Sequence, residues 1–355
     1  MKYLSIMGGP PITFGKEFRE KYFTLLDSIS IPVNHGSLGM VPTPVYEKYI
    51  QAIADQFGIQ YAEIPLNCPM TDSEILEKFE EIFKKQSPKI CMFDTISTMP
   101  GVILPFKQLI ELCKKYNVLS LVDGAHGVGC ITQDLSEMDP DFYVSTLHKW
   151  YFVPFGCAVM YVAPKHHNYI HTFPISHSYI SEETVLSKED QLNQLVDSFF
   201  FIGTKSFGPI AVIPDAIKFR ETECGGERAI FDYCHSLAKR VAERISSKWG
   251  TSYLKQADGP TLINTLVNIE VPTQYIGLDV SALKKNWSKF LKVVHTKMVD
   301  EYNAYTPSIN NGKLYARYSC QIYNEISDYE IASECLIKVL KEFVELEPEL
   351  KIVKS

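Results

Sequence analysis

The chain has 355 residues and a net charge of −7, long enough for one large α/β domain and a smaller second one around an ordinary apolar core. Acidic and basic residues are interspersed, with no basic stripe, which argues against a nucleic-acid partner. Nine cysteines are scattered without any C-x-x-C spacing, which argues against a disulfide framework or a zinc site and for reduced thiols in a cytoplasmic compartment.

The stretch Met1–Pro10 is broken by Gly8, Gly9 and Pro10 and falls short of the roughly 7–15 apolar residues of a secretory segment. No run approaches the length of a membrane helix. After Pro44 a helix is expected from Tyr46 to about Gln56, and Phe57–Leu66 then reads as a strand. Thr71-Asp-Ser-Glu74 is a capping box, followed by Ile75, Phe79, Ile82 and Phe83 at helical spacing. Ile90–Phe93 reads as a buried strand. Pro105 opens a helix with Phe106, Leu109, Ile110 and Cys113 on one face. Further strands are expected at Val118–Val122, Phe142–Val144 and Cys157–Val162. Apolar strands alternating with amphipathic helices predict a largely parallel sheet covered on both faces. Beyond about Pro209 the texture changes. A long helix is expected from Glu227 to about Lys248, with Ile230, Tyr233, Leu237, Val241 and Ile245 in register. Strand-like segments follow at Thr261–Val271 and Lys313–Ser319, and a closing helix at Asp328–Glu345.

Two strand ends carry chemistry. Asp123 follows one apolar run, in Val122-Asp-Gly-Ala-His126, and Lys149 follows another, in Thr146-Leu-His-Lys149. Ligands of such sheets sit at the carboxyl ends of strands. Taken singly, Asp123 reads as a helix cap, His126 as a satisfied histidine and Lys149 as a solvated lysine. Together they suit a pyridoxal phosphate enzyme: a lysine that condenses with the cofactor aldehyde and a carboxylate that keeps the pyridine nitrogen protonated. No G-x-S-x-G elbow or metal-spaced histidine pair supports a hydrolytic reading instead.

Five segments in chain order carry a resemblance: Asn34-His-Gly-Ser-Leu-Gly39, Asp123-Gly-Ala-His126, His148-Lys-Trp-Tyr-Phe-Val-Pro-Phe-Gly156, Phe201-Ile-Gly-Thr204 and Ala316-Arg-Tyr-Ser-Cys-Gln-Ile-Tyr-Asn324. With them the chain resembles the class V aminotransferases of fold type I, nearest to the branch of isopenicillin N epimerase-like proteins and the fungal ergothioneine-pathway C–S lyase. The resemblance implies a mainly parallel sheet flanked by helices, with an N-terminal arm over 1–45, a cofactor domain over 46–215 and a small C-terminal α+β domain over 216–355. It implies that Lys149 condenses with pyridoxal 5′-phosphate and moves protons at the substrate Cα. Asp123 would pair with the pyridine nitrogen, and His126 would neighbour the ring. Thr146 and His148 would contact the phosphate, with Thr204 reaching that of a second subunit in a homodimer. Asn34, His35 and Gly36 would line the substrate side, and Arg317 would hold the α-carboxylate of an amino-acid substrate by a two-point fork. The favoured chemistry is C–S cleavage of a sulfur-bearing amino acid. Epimerisation, transamination and a non-catalytic paralogue are the alternatives.

One departure stands out. In the family, a turn at a helix N-terminus cradles the phosphate, and an aromatic or histidine ring stacks on the cofactor. Neither has a counterpart between Gln56 and Phe57, which implies the loss of several tens of residues, about two to three βα units at roughly 30 residues each. A skipped coding segment is the favoured explanation. A truncated paralogue, or a phosphate site built from another segment, are the others.

Overall fold

The computed structural model describes residues 61–352 except 99, 171–178, 182–183, 201–202, 204–205, 256–263, 284–286, 303–307 and 311. The helix expected at Tyr46–Gln56 lies outside them. Tyr61–Leu66, expected as a strand end, form no regular element; Pro65 lacks the N–H that a strand ladder needs.

The larger of two compact units comprises Ile64–Glu270 and Tyr315–Tyr329. It opens with helix α1 (Asp72–Gln86), whose capping box forms as expected: Glu74 N donates to Thr71 Oγ1 at 3.2 Å and Thr71 N to Glu74 Oε2 at 2.7 Å. Strand β1 (Ile90–Asp94), helix α2 (Phe106–Lys115), strand β2 (Leu119–Asp123), a short helix α3 (Leu135–Met138), strand β3 (Phe142–Thr146) and strand β4 (Ala158–Val162) follow. The sheet order is β1-β2-β3-β4. The first three strands are parallel, while β4 runs antiparallel to β3, so the sheet is mixed but mainly parallel. Asp94 pairs with Asp123, and Asp123 with Val144. Strands β1 and β2 therefore end level, and β3 runs two residues further, so Asp94, Asp123 and Thr146 lie near one rim.

Side chains alternate across each strand, and the two faces of this sheet differ. Cys91 and Phe93, Ser120 and Val122, and Tyr143 and Ser145 are buried. Phe79 of α1 meets Phe93 edge-on at 6.2 Å on that face. The other face departs from the expectation of cover on both sides: Ile90, Met92 and Met160 are 49%, 59% and 41% exposed. An apolar strand is equally apolar whether or not a helix lies above it.

Beyond the sheet come helices α4 (Lys188–Phe200), α5 (Gly208–Ala211), α6 (Ile213–Thr222) and α7 (Glu227–Trp249). Helix α7 buries Ile230, Leu237, Val241 and Ile245 as expected. Tyr233 does not join them: it is 42% exposed and donates its hydroxyl proton to Asn324 O at 2.6 Å. A tyrosine at the edge of the apolar stripe gains more from a hydrogen bond at the surface than from burying its polar tip. Strands β5 (Leu266–Glu270) and β6 (Leu314–Ser319) pair antiparallel.

The smaller unit includes Val271–Leu314 and Glu330–Ser355. Its helix α8 (Trp287–Tyr302) packs against helix α9 (Ile326–Leu346) through Phe290 and Phe343, whose rings lie 5.5 Å apart. Lys297 pairs with Glu342 at 2.7 Å. Among the described residues, no helix is long and apolar enough to cross a membrane.

Candidate active site

The site is built from two tight turns at neighbouring strand ends. After β2 the chain folds back at once, with Gly127 N donating to Gly124 O at 2.7 Å and Val128 N to the same oxygen at 3.1 Å. A Cβ at Gly124 would sit 1.9 Å from the Tyr143 hydroxyl, so only glycine lets this turn pack on β3. The Asp123 carboxylate accepts from Ala125 N at 2.8 Å, which aims it along the rim.

After β3 the segment Leu147–Gly156 makes the second turn, with Tyr151 N donating to Leu147 O at 3.1 Å. Gly156 has a φ of +90°, a conformation that glycine adopts without the Cβ clash. Phe152 takes a φ of +63° despite its side chain. Such a backbone persists only where its surroundings over-determine it, and here the buried Arg220 guanidinium stacks on the rings of Tyr151 and Phe152 at 4.5 and 5.1 Å.

These turns bring His126 and Lys149 together. Lys149 Nζ lies 3.2 Å from His126 Nε2, while Trp150 Nε1 donates to His126 Nδ1 at 3.1 Å. Lys149 itself is exposed, but His126 is buried. The imidazole pKa is pushed down to about 4, first by burial and then by the charges of Lys149 and Arg317. Arg317, on β6, is therefore within electrostatic reach of His126, and its Nη1 donates to Thr98 O at 2.5 Å. Thr146 Oγ1 and His148 Nδ1 are buried and, among the described residues, meet no hydrogen-bond partner. Buried polar atoms of that kind call for a partner, such as water or a ligand. The His148 ring rests against Phe155 at 4.9 Å. Asn34, His35, Gly36 and Thr204 lie outside the described residues.

Sequence reasoning gave no role to three residues here. Asp94 closes β1 as Asp123 closes β2, and its pKa is raised by burial and by Asp123, against an opposing pull from Lys149. The same strand-end signal that marked Asp123 marks Asp94. Trp150 was inside a quoted motif, but its partner could not be read from it. Arg220 had no signal at all, since its partner oxygens lie in distant turns: Nη1 donates to Trp150 O at 3.0 Å and Nη2 to Gly129 O at 3.5 Å.

The depressed His126 pKa has a consequence for stability. Unfolded histidine titrates near 6.5, so between about 6.5 and 4 the unfolded chain binds a proton that the folded chain refuses. Stability from this group is therefore complete above pH 6.5 and is lost as pH falls towards 4, by up to about 3 kcal/mol. Urea midpoints measured from pH 7 to 4.5 should fall more steeply for the native chain than for His126→Gln; parallel curves would refute the burial of a neutral imidazole.

The chain has relatives among known proteins. The family model for class-V aminotransferases matches residues 49–283. Hercynylcysteine sulfoxide lyase of Schizosaccharomyces pombe is 33% identical over 296 residues, covering 82% of this chain and 68% of that protein. L-cysteine desulfhydrase of Arabidopsis thaliana is 27% identical, covering 83% of this chain and 65% of its own length. Among solved structures, the cysteine desulfurase of Thermococcus onnurineus superposes with a TM-score of 0.57 at 19% identity, covering 83% of this chain and 69% of that one, a likeness of fold. The chain belongs to the class-V aminotransferases, a family of fold type I enzymes whose cofactor is pyridoxal phosphate.

Proposed function

We propose that this chain cleaves a C–S bond at the β-position of a sulfur-bearing amino acid, using pyridoxal phosphate. The observation that carries the reading is the 3.2 Å approach of Lys149 Nζ to a buried, neutral His126 at the rim where Asp123 ends β2. The ring end of the cofactor fits this site. Asp123 would hold the pyridine nitrogen, and the unpartnered Thr146 Oγ1 and His148 Nδ1 would face phosphate oxygens. When bound, the cofactor supplies an aldehyde for a lysine and an electron-accepting ring. Lys149 would take the proton from the substrate Cα and deliver it where it is needed. Arg317 would hold the substrate carboxylate and so fix which bond at Cα faces Lys149. The C–S relatives, hercynylcysteine sulfoxide lyase and L-cysteine desulfhydrase, favour β-cleavage over epimerisation and transamination.

Product analysis separates these reactions. With the protein carrying the inserted segment described below, L-cysteine, S-substituted cysteines and their sulfoxides should release pyruvate without an added keto acid. Formation of the D-amino acid alone, or keto-acid release only with an amino acceptor present, would overturn the lyase reading. Arg317→Lys keeps the charge but loses the fork, so amino-acid binding should weaken by roughly 1.5–3 kcal/mol, the scale of a charged hydrogen bond. Equal affinity in Arg317→Ala would remove the assignment.

The working form would be a cytoplasmic homodimer, with Thr204 reaching the neighbouring subunit's phosphate site. The absent phosphate turn near Gln56 sets the strength of cofactor binding. Thr146 and His148 replace only part of a cradle of backbone amides. The chain should hold pyridoxal phosphate at least about tenfold more weakly than a version carrying the S. pombe relative's corresponding segment between Gln56 and Phe57, and only that version should turn over well. Visible absorbance titrations of both proteins compare them directly. Tight, stoichiometric binding by the chain as it stands would mean that another segment supplies the phosphate site.

A further inference from the structure

We infer that Trp150 is a positioning residue: its indole N–H fixes His126 in the tautomer that carries its proton on Nε2, so His126 faces Lys149 as a hydrogen-bond donor and not as a base. An indole nitrogen can only donate. Trp150 Nε1 lies 3.1 Å from His126 Nδ1, so Nδ1 must be the accepting, unprotonated nitrogen. A neutral imidazole has one proton, and it is then on Nε2, the atom 3.2 Å from Lys149 Nζ.

Trp150 is held through its side chain and its backbone. Trp150 is 6% exposed and packs with Ile96, Cys130 and Leu266. Its carbonyl oxygen accepts from Arg220 Nη1 at 3.0 Å. A Cβ at Gly129, whose φ is +82°, would come within 3.0–3.1 Å of Trp150 atoms, so a bare glycine backbone lies against it. The indole cannot turn over without disturbing its packing on Ile96, Cys130 and Leu266.

The chemical consequence rests on the reading of Lys149 as the reactive amine. An ammonium has three donors and no lone pair, so it cannot accept from an Nε2–H group. A free amine, the nucleophilic form, can. His126 would also be unable to serve as the acceptor for a proton leaving Lys149, and the proton that Lys149 moves would travel by another route. A lock of this kind sets the direction of one hydrogen bond, a property that charge and distance alone do not fix.

The test needs no cofactor and no turnover. Protein labelled with 15N-histidine is compared at pH 7 by long-range proton–nitrogen correlation in three forms: native, His126→Gln for assignment, and a form with β-(3-benzothienyl)alanine at position 150. That analogue keeps the shape of tryptophan and replaces its N–H by sulfur, so packing survives while the donor is lost. The native protein should show His126 in the Nε2–H tautomer alone. The analogue should lower the ratio of Nε2–H to Nδ1–H forms by roughly five- to tenfold, the effect of one hydrogen bond. Trp150→Phe serves as a second variant with the same expected direction. An Nδ1–H signal for His126 in the native protein, or an unchanged tautomer ratio in the analogue, would overturn the inference. Borohydride mapping of the lysine that takes up pyridoxal phosphate is done in parallel. Label away from Lys149 would remove the catalytic reading while leaving the tautomer result to stand or fall separately.

Discussion

Lys149→Ala should abolish borohydride-trapped attachment of pyridoxal phosphate and lower turnover of a sulfur amino acid, in the protein carrying the inserted segment, by at least roughly 10²–10⁴-fold. The size of the effect follows from two duties vested in one nitrogen. On the proposed reading it would be the nucleophile that meets the cofactor aldehyde and the base at the substrate Cα. Lys149 Nζ stands 3.2 Å from His126 Nε2 at the rim of the sheet. Lys149→Arg should be no better, because a guanidinium remains protonated and cannot condense with an aldehyde. Peptide mapping after reduction is the check. Label retained at undiminished yield in Lys149→Ala would sink the assignment.

Arg220→Ala should destabilise the fold by about 3–5 kcal/mol, the cost of breaking a buried charge network from one side. Arg220 is 1% exposed. Its guanidinium pairs with Glu227, with Nη2 2.6 Å from Oε2, and reaches Trp150 O and Gly129 O in two separate turns. Removing it leaves two carbonyl oxygens and a carboxylate without their donor. Arg220→Lys should rescue little, since one ammonium cannot span the partners that the planar fork reaches. The double replacement Arg220→Met with Glu227→Gln should cost less than Arg220→Ala, because it leaves no carboxylate unpaired. Urea unfolding of the four proteins orders them. A loss below about 1 kcal/mol in Arg220→Ala would class this pair with ordinary surface ion pairs.

The rim of the sheet was legible because its signals are local. An apolar run followed by a polar residue marks a strand end, and that is how Asp123 and Lys149 were found and how Asp94 could have been. The capping box at Thr71 and the stripe of α7 are equally local patterns, and both formed. Four features were not legible, each for a physical reason. Strand direction leaves no mark on a five-residue apolar run, so β4 read like its parallel neighbours. Whether a helix covers a strand is a property of the neighbour, so the exposure of Ile90 and Met92 could not be read from them. The Arg220 contacts join residues 70 and 91 positions apart, and no periodicity reaches that far. The motif holding Trp150 gave its neighbourhood in the chain, but the partner of its N–H is set by how two turns meet.

The bare face of the sheet bears on the fate of the chain in a crowded solution. Ile90 and Met92 stand on the first strand of the sheet order, and β1 pairs only with β2 among the described strands. Partly exposed apolar side chains beside an edge that no other described strand pairs are the combination that recruits other chains by strand addition. Lifetime then depends on protein concentration as much as on the unfolding equilibrium, because a folded molecule can be lost to association without first unfolding. Dilution, or a chaperone that holds apolar surface, would prolong it where added cofactor would not, since the cofactor rim and the open face at Ile90 and Met92 lie at different places on the same sheet.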